Sequence, residues 1–408
     1  MNNKKWMAIL LGGIMAASLA APCSVSAAEK TTLTFWHAMG GTNGEVLQQI
    51  VDDFNASQDE IEIKAEYQGT YDDTITKLKA AMQSDSGLPD VCQMYDVGTK
   101  FMYDSGAVIP VEDKFESTGY DKSSVMEVIS SYYTVDGKQY AMPFNVSTPM
   151  LYYNKDVFEA AGLDPETPPT TYDEVLEDAK KIVESGAAPV GYSQAIYGWF
   201  FEQQLAGLGV TYGNNDNGRK EAVTAVDFDS NGGGLKVFDM WKKLYDSGYF
   251  EDYGTTTADT QTAFFSGQVG MIIESTAILK NAVDSSPFEV GTGYLPRIEQ
   301  NDEGGVIIGG GSLWLTDTGN EANEDAAWKF IEYITTPDVQ AKWSMGTGYF
   351  AINEKAYETE DMKAYLKENP NFETAINQLK DSPVNCNTAG VLSGVQTEAR
   401  LTFNEIMP

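Results

Sequence analysis

Histidine is almost absent from this 408-residue chain, which carries only His37. A histidine-rich metal centre is therefore excluded, and three cysteines, Cys23, Cys92 and Cys386, are too few for a thiolate zinc site. Positive charge is scarce as well: 27 basic residues face 60 acidic ones, a formal net charge of −33. Phosphate backbones would be repelled by such a surface, so nucleic-acid binding is excluded. Catalytic signatures are thin. There is no Gly-x-Ser-x-Gly elbow, and Gly309-Gly310-Gly311-Ser312 lacks the lysine of a nucleotide-binding loop. Sixty carboxylates guarantee accidental pairs, so an exported glycosidase or phosphodiesterase stays open as an alternative. His37 reads either as a donor at a pocket lip beside Trp36 or as a strand-end residue bonded to backbone.

What is present begins with an export signal over residues 1–27. Lys4 and Lys5 precede an apolar stretch from Met7 to Ala21, and small residues at Val25, Ser26, Ala27 and Ala28 suit cleavage. The apolar stretch is short and interrupted by Gly12 and Gly13, unlike a membrane span. Cleavage near Ala27 or Ala28 gives a free protein in the periplasm. A lipid anchor at Cys23 on the outer face of the cell membrane is the alternative. Export permits a disulfide between Cys92 and Cys386, but buried free thiols fit equally.

The remaining length exceeds what one core usually supports, so two lobes are expected. Leu33 and Phe35 alternate with polar residues in a first strand. Thr42-Asn43-Gly44-Glu45 reads as a capping box, followed by Leu47, Ile50, Val51 and Phe54 at helical spacing. Ile61, Ile63, Ala65 and Tyr67 mark a second strand, Ile75, Leu78, Ala81 and Met82 a second helix, and Pro89–Met94 a third strand. The β-α-β-α-β order implies a mainly parallel sheet covered by helices. Further on, Thr171-Tyr172-Asp173-Glu174 starts a helix, and Phe238, Trp241, Leu244 and Tyr245 mark another. Met271-Ile272-Ile273 and Val306-Ile307-Ile308 read as buried strands, and Ala327, Phe330, Ile331 and Ile334 as a helix ending before Pro337. The expected lobes are 28–141 plus about 272–318, and 142–271 plus about 319–408.

Between the halves lies Met142–Lys155, stiffened by Pro143 and Pro149 and rich in polar groups at Asn145, Ser147 and Thr148. Tyrosines and tryptophans at Tyr71, Tyr95, Tyr152, Tyr153, Tyr172, Tyr197, Trp199 and Tyr349 fall near expected element ends. Such rings either pack the core or stack on the apolar faces of a polyol where open α/β sheets hold ligands.

Several segments carry a resemblance to a known family. They are Phe35-Trp36-His37-Ala38-Met39, Tyr95-Asp96-Val97-Gly98-Thr99, Pro143-Phe144-Asn145-Val146-Ser147-Thr148-Pro149 and Leu151-Tyr152-Tyr153-Asn154-Lys155-Asp156. Ile307–Trp314 and Thr347-Gly348-Tyr349 complete the set. From about residue 31 to 405 the chain resembles family 1 extracellular solute-binding proteins of ABC importers. The resemblance implies an α/β, two-lobed periplasmic-binding-protein fold, type II and maltose-binding-protein-like, with a ligand cleft between discontinuous lobes. It also implies a non-enzymatic, monomeric carrier without a cofactor that delivers its solute to permease subunits in the membrane.

Position by position, the resemblance implies ligand contacts at Tyr71, Asp96, Ser147, Ser275, Gly310, Tyr349 and Arg400. Tyr172 stands where the family has a tryptophan covering the ligand, and Asp96 replaces a glutamate, one methylene shorter. The implied ligand is sn-glycerol 3-phosphate or a glycerophosphodiester, and the alternative is a sugar or oligosaccharide on the same fold. Arginine offers a planar fork to two phosphate oxygens, and Arg400 is one of three arginines, with Arg219 and Arg297. Asp96 suits glycerol hydroxyls. The chain stops at Pro408 where relatives run on into a further helical segment, so a fragment is expected, with a trimmed lobe as the alternative.

Overall fold

The computed structural model describes residues 30–84 and 87–406. The export signal, its cleavage site and Cys23 lie outside the described residues.

Among the described residues, twelve strands form two main sheets and a small hairpin. The first sheet contains β1 (Thr31–His37), β2 (Ile61–Tyr67), β3 (Val91–Tyr95), β4 (Val108–Ile109), β7 (Met142–Ser147) and β12 (Gly309–Thr316). Its order is β2-β1-β3-β12-β4, with β7 also on β12. β1 runs parallel to β2 and β3, as the β-α-β-α-β order requires, while β12 returns antiparallel to β3. Helix α1 (Gly41–Ser57) buries Leu47, Ile50, Val51 and Phe54, the stripe its spacing foretells. Its cap differs from expectation. The helix starts two residues earlier, with Gly40 at the N-cap in place of Thr42, and no side chain caps it, so the Thr42–Glu45 box is not formed. The box at Thr171 does form: Thr171 Oγ1 accepts from Glu174 N at 3.2 Å and Thr171 N donates to Glu174 at 3.1 Å.

The second sheet has the order β11-β8-β10-β9, made of β8 (Pro149–Asn154), β9 (Val190–Ser193), β10 (Val269–Ser275) and β11 (Val290–Gly293). The two remaining strands, β5 (Thr134–Val135) and β6 (Lys138–Gln139), pair with each other. Both faces of the second sheet are covered. Leu151, Tyr153, Met271 and Ile273 join one core, and Met150, Tyr152, Val269 and Ile272 join another that continues beneath the first sheet. Burial on both sides is why these strands read as continuous apolar runs.

Sheet membership differs from the expected partition. Met271-Ile272-Ile273 pairs antiparallel with Leu151-Tyr152-Tyr153, which places 269–293 with the second sheet rather than the first. The Glu321–Ile334 and Pro337–Thr347 helices go the other way. Phe330 packs on Phe35 and Phe54 at 5.6 and 5.2 Å, and Trp343 stacks on Phe144 at 4.6 Å, so both cover the first sheet. Only the later helices return to the second lobe. Asn371 Nδ2 donates to Val290 O at 2.8 Å, and Phe403 packs on Phe201 at 5.2 Å. Val306-Ile307-Ile308 is buried but is not a strand; the strand begins at Gly309.

The chain thus crosses between lobes at Thr148, between β11 and β12, and again before Asn371. Thr148, the single residue between β7 and β8, is bonded to a neighbouring strand end. Thr148 N donates to Thr276 Oγ1 at 3.1 Å, and Thr276 N donates to Thr148 O at 2.8 Å.

Candidate functional site

The site is built where β3, β7, β10 and β12 end near two second-lobe helices, Gly198–Gly207 and Gln396–Ile406. Asp96 follows β3 and is 4% exposed. Opposite it, Arg400 projects from the C-terminal helix with its stem against Gly198, where an added Cβ would sit 2.9 Å from Arg400 Cγ. Arg400 Nη2 donates to Asp96 Oδ2 at 3.0 Å and to Glu202 Oε2 at 2.7 Å, and Arg400 Nε donates to Glu202 Oε1 at 2.8 Å. Gln396 Nε2 donates to Glu202 Oε1 as well, at 2.5 Å. Asp96 belongs to the first lobe, and Glu202 and Arg400 to the second, so this ion pair spans the cleft. Burial alone would draw the Arg400 pKa down. The two carboxylates outweigh it, and the guanidinium stays charged.

A polar floor lies beside this trio. Asn145 Nδ2 donates to the Tyr71 hydroxyl at 2.6 Å, and Asn145 Oδ1 accepts from Gln93 Nε2 at 2.6 Å. Gln93 is itself held by Ala38 N at 2.8 Å. Tyr71 stacks on Tyr95 at 5.2 Å, and the Tyr95 hydroxyl donates to Asp72 at 3.0 Å and lies 3.2 Å from Thr397 Oγ1. Desolvation raises the Tyr71 pKa, with Tyr349 and Asp96 adding to it, so both neighbouring phenols remain protonated donors. Tyr349 stacks on Trp343 and is followed by Phe350, whose N–H donates to Val146 O at 3.0 Å.

Gly310 sits opposite Val146 with a φ of +92°, and an added Cβ would lie 1.9 Å from Asn145 O. Only glycine allows that approach. Gly309 faces Ser147 in the register and meets the ring of Trp199, whose indole N–H is buried without a partner among the described residues. Ser147 is buried at the end of β7. Ser275 ends β10 opposite Pro149; its Oγ accepts from Ala277 N at 3.1 Å. The preceding Glu274 is buried, accepts from Gln261 Nε2 at 2.8 Å, and has its pKa raised by desolvation.

Seven of the expected residues therefore share one neighbourhood: Tyr71, Asp96, Ser147, Ser275, Gly310, Tyr349 and Arg400. Tyr172 does not join them. Its ring lies in the second-lobe core beside Tyr192, and its hydroxyl contacts Gln194 at 3.3 Å and accepts from Gln204 Nε2 at 2.6 Å. Besides Tyr71 and Tyr349, the rings that stand at the cleft are Tyr95, Tyr197 and Trp199. Tyr197 is partly buried, within electrostatic reach of Glu274, Arg400, Asp96 and Glu202. Glu202 and Gln396 escape the sequence reading. A signal for Glu202 exists: it directly follows Trp199-Phe200-Phe201 in a helix buried from Gly198 to Ala206, where a carboxylate demands a partner. His37 is a strand-end residue whose Nδ1 accepts from Met39 N at 3.3 Å.

Two lobes of α/β build, meeting at a cleft of converging hydroxyls, amides and one shared guanidinium, have the build of a binding protein. Residues 49–374 match the model of the bacterial extracellular solute-binding proteins, and the chain belongs to that family; it is a carrier and not an enzyme. It is 33% identical over 403 residues to the sn-glycerol-3-phosphate-binding periplasmic protein UgpB of Brucella abortus (strain 2308), covering 97% of this chain and 92% of that one. The UgpB of Escherichia coli (strain K12) is 31% identical over 382 residues, 92% of this chain and 86% of its own. Among solved structures, UgpB from Mycobacterium tuberculosis in complex with glycerophosphocholine superposes with a TM-score of 0.79 at 22% identity, covering 92% and 93% of the two chains. The cyclic α-maltosyl-1,6-maltose binding protein of Arthrobacter globiformis gives 0.72 at 24% identity, covering 92% and 98%. The two-lobed, maltose-binding-protein-like fold is thereby established.

Proposed function

We propose that this chain captures sn-glycerol 3-phosphate or a glycerophosphodiester outside the inner membrane and delivers it to the permease subunits of an ABC importer. The observation that carries this reading is the cleft-spanning contact of Arg400 with Asp96 and Glu202. It supplies the one cation a phosphate needs, at the position implied by the likeness to proteins named for that ligand. The end of the Arg400 fork would receive phosphate oxygens, Tyr71, Tyr349 and Trp199 Nε1 would add donors, and Asp96, once displaced from Arg400, would accept glycerol hydroxyls. Contacts from both lobes favour the closed form, which the permease would recognise. The protein would act as a monomer in the periplasm.

Calorimetric titration of the purified protein with sn-glycerol 3-phosphate, glycerophosphocholine and maltose tests this. Binding of a phosphate ester, abolished at least a hundredfold in Arg400→Ala, is the expected outcome. Tight maltose binding that survives the replacement would sink it.

A further inference from the structure

Resting on that reading, the geometry around Arg400 carries a statement about ligand charge. Glu202 holds the Nε–Nη2 edge of the guanidinium at 2.8 and 2.7 Å, and the side chain is 4% exposed. Gln396 adds a third bond to the same carboxylate. Asp96 instead meets the terminal end, at 3.0 Å to Nη2 and 3.4 Å to Nη1. An incoming anion can therefore replace Asp96 at the open end, while Glu202, bonded by Nε, Nη2 and Gln396 inside its own lobe, stays.

The charge count is then fixed. One cation faces two carboxylates, and no other basic side chain bonds to the trio among the described residues. Lys100, early in the helix after Asp96, is paired with Asp104. A buried guanidinium already matched by one carboxylate offers an arriving phosphate little net positive charge, and each further negative charge on the ligand meets the displaced Asp96. Phosphomonoesters approach a charge of −2 near neutrality, whereas a phosphodiester carries −1.

We propose that Glu202 is a specificity-determining residue: by neutralising Arg400 from within its lobe, it tunes the cleft for singly charged phosphodiesters and against dianionic phosphomonoesters. The class of solute this selects is the deacylated phospholipid, a glycerophosphodiester with its head group still attached.

The test compares sn-glycerol 3-phosphate with glycerophosphoglycerol, a diester whose head group is uncharged, so that the charge on the phosphate is the variable. Wild-type protein is expected to bind the diester at least tenfold more tightly. Glu202→Gln, which keeps the shape and removes the charge, should strengthen monoester binding at least tenfold and change diester binding less than threefold. An unchanged ratio, or an equal loss of both ligands, overturns the proposal and leaves Glu202 a positioning residue for Arg400. Should Glu202→Gln fail to fold, the wild-type preference decides alone, and a preference for the monoester overturns the proposal. Failure of wild-type protein to bind either ester would instead overturn the functional reading beneath it.

Discussion

His37 shows how one side chain adds a pH dependence away from the ligand. It is buried, and loss of water lowers its pKa from 6.5 to about 4. The unfolded chain takes up a proton below pH 6.5, whereas the folded chain refuses it until about pH 4. The stability that rests on a neutral His37 is thus present above 6.5 and lost as pH falls towards 4, an effect of roughly 2–3 kcal/mol. Urea unfolding of wild type and His37→Gln at pH 7 and pH 4.5 checks this, since the wild type should lose more over that interval. Parallel losses would remove His37 from the account. Residue by residue, legibility followed chemistry. Asp96 and Tyr349 stand in the segments that carry the resemblance, whereas Tyr71 and Arg400 come from its position-by-position extension. Glu202 is one of sixty acids, and only its surroundings in three dimensions distinguish it. Tyr172 was misplaced because sequence gives a ring without its direction. The fold turns that ring into the second core.

Among the elements, those with one buried face were the easiest to read. Helix α1 shows its stripe of Leu47, Ile50, Val51 and Phe54, whereas Val306-Ile307-Ile308 is as apolar as a strand but lacks ladder partners. Apolar runs report burial, and burial does not specify pairing. The glycine-rich start of β12 gave no strand signal. Three glycines argue against a strand, yet the close approach to Asn145 and Trp199 requires them. Gly310→Ala would drive a Cβ into Asn145 O and strain a positive φ. The variant is expected to lose roughly 3 kcal/mol of stability by urea unfolding, and its phosphate-ester affinity should fall at least tenfold by calorimetry. Full binding in a stable variant would show that β7 and β12 tolerate separation at the cleft.

For the whole molecule, the assignment of segments to lobes was the least legible property. It depends on pairings between residues more than a hundred positions apart, such as Ile272 with Tyr152. Arg219 illustrates such long-range fastening. It is partly buried and has no carboxylate partner among the described residues: Nη1 donates to Tyr132 O at 2.9 Å, Nη2 to Gly390 O at 3.1 Å and Nε to Gly390 O at 3.3 Å. Its guanidinium also lies 5.4 Å from the centre of the Tyr132 ring. One side chain thereby ties the 213–226 region and the C-terminal segment to the hairpin region of the first lobe. Arg219→Met should cost on the order of 3 kcal/mol, because several buried carbonyls lose their donor together. Urea unfolding reads the cost, and a loss below about 0.5 kcal/mol would mean that these carbonyls find other partners.

The reciprocal bonds between Thr148 and Thr276 have a mechanical consequence. The strand end at which the chain crosses and the end of β10 beside it, each bonded to the other, behave like paired pins in one door hinge. They permit rotation about the line joining them and resist sliding. On the proposed reading, solute occupancy would be translated into a single angle between two plates, and a partner that gauges that angle would need no contact with the solute itself.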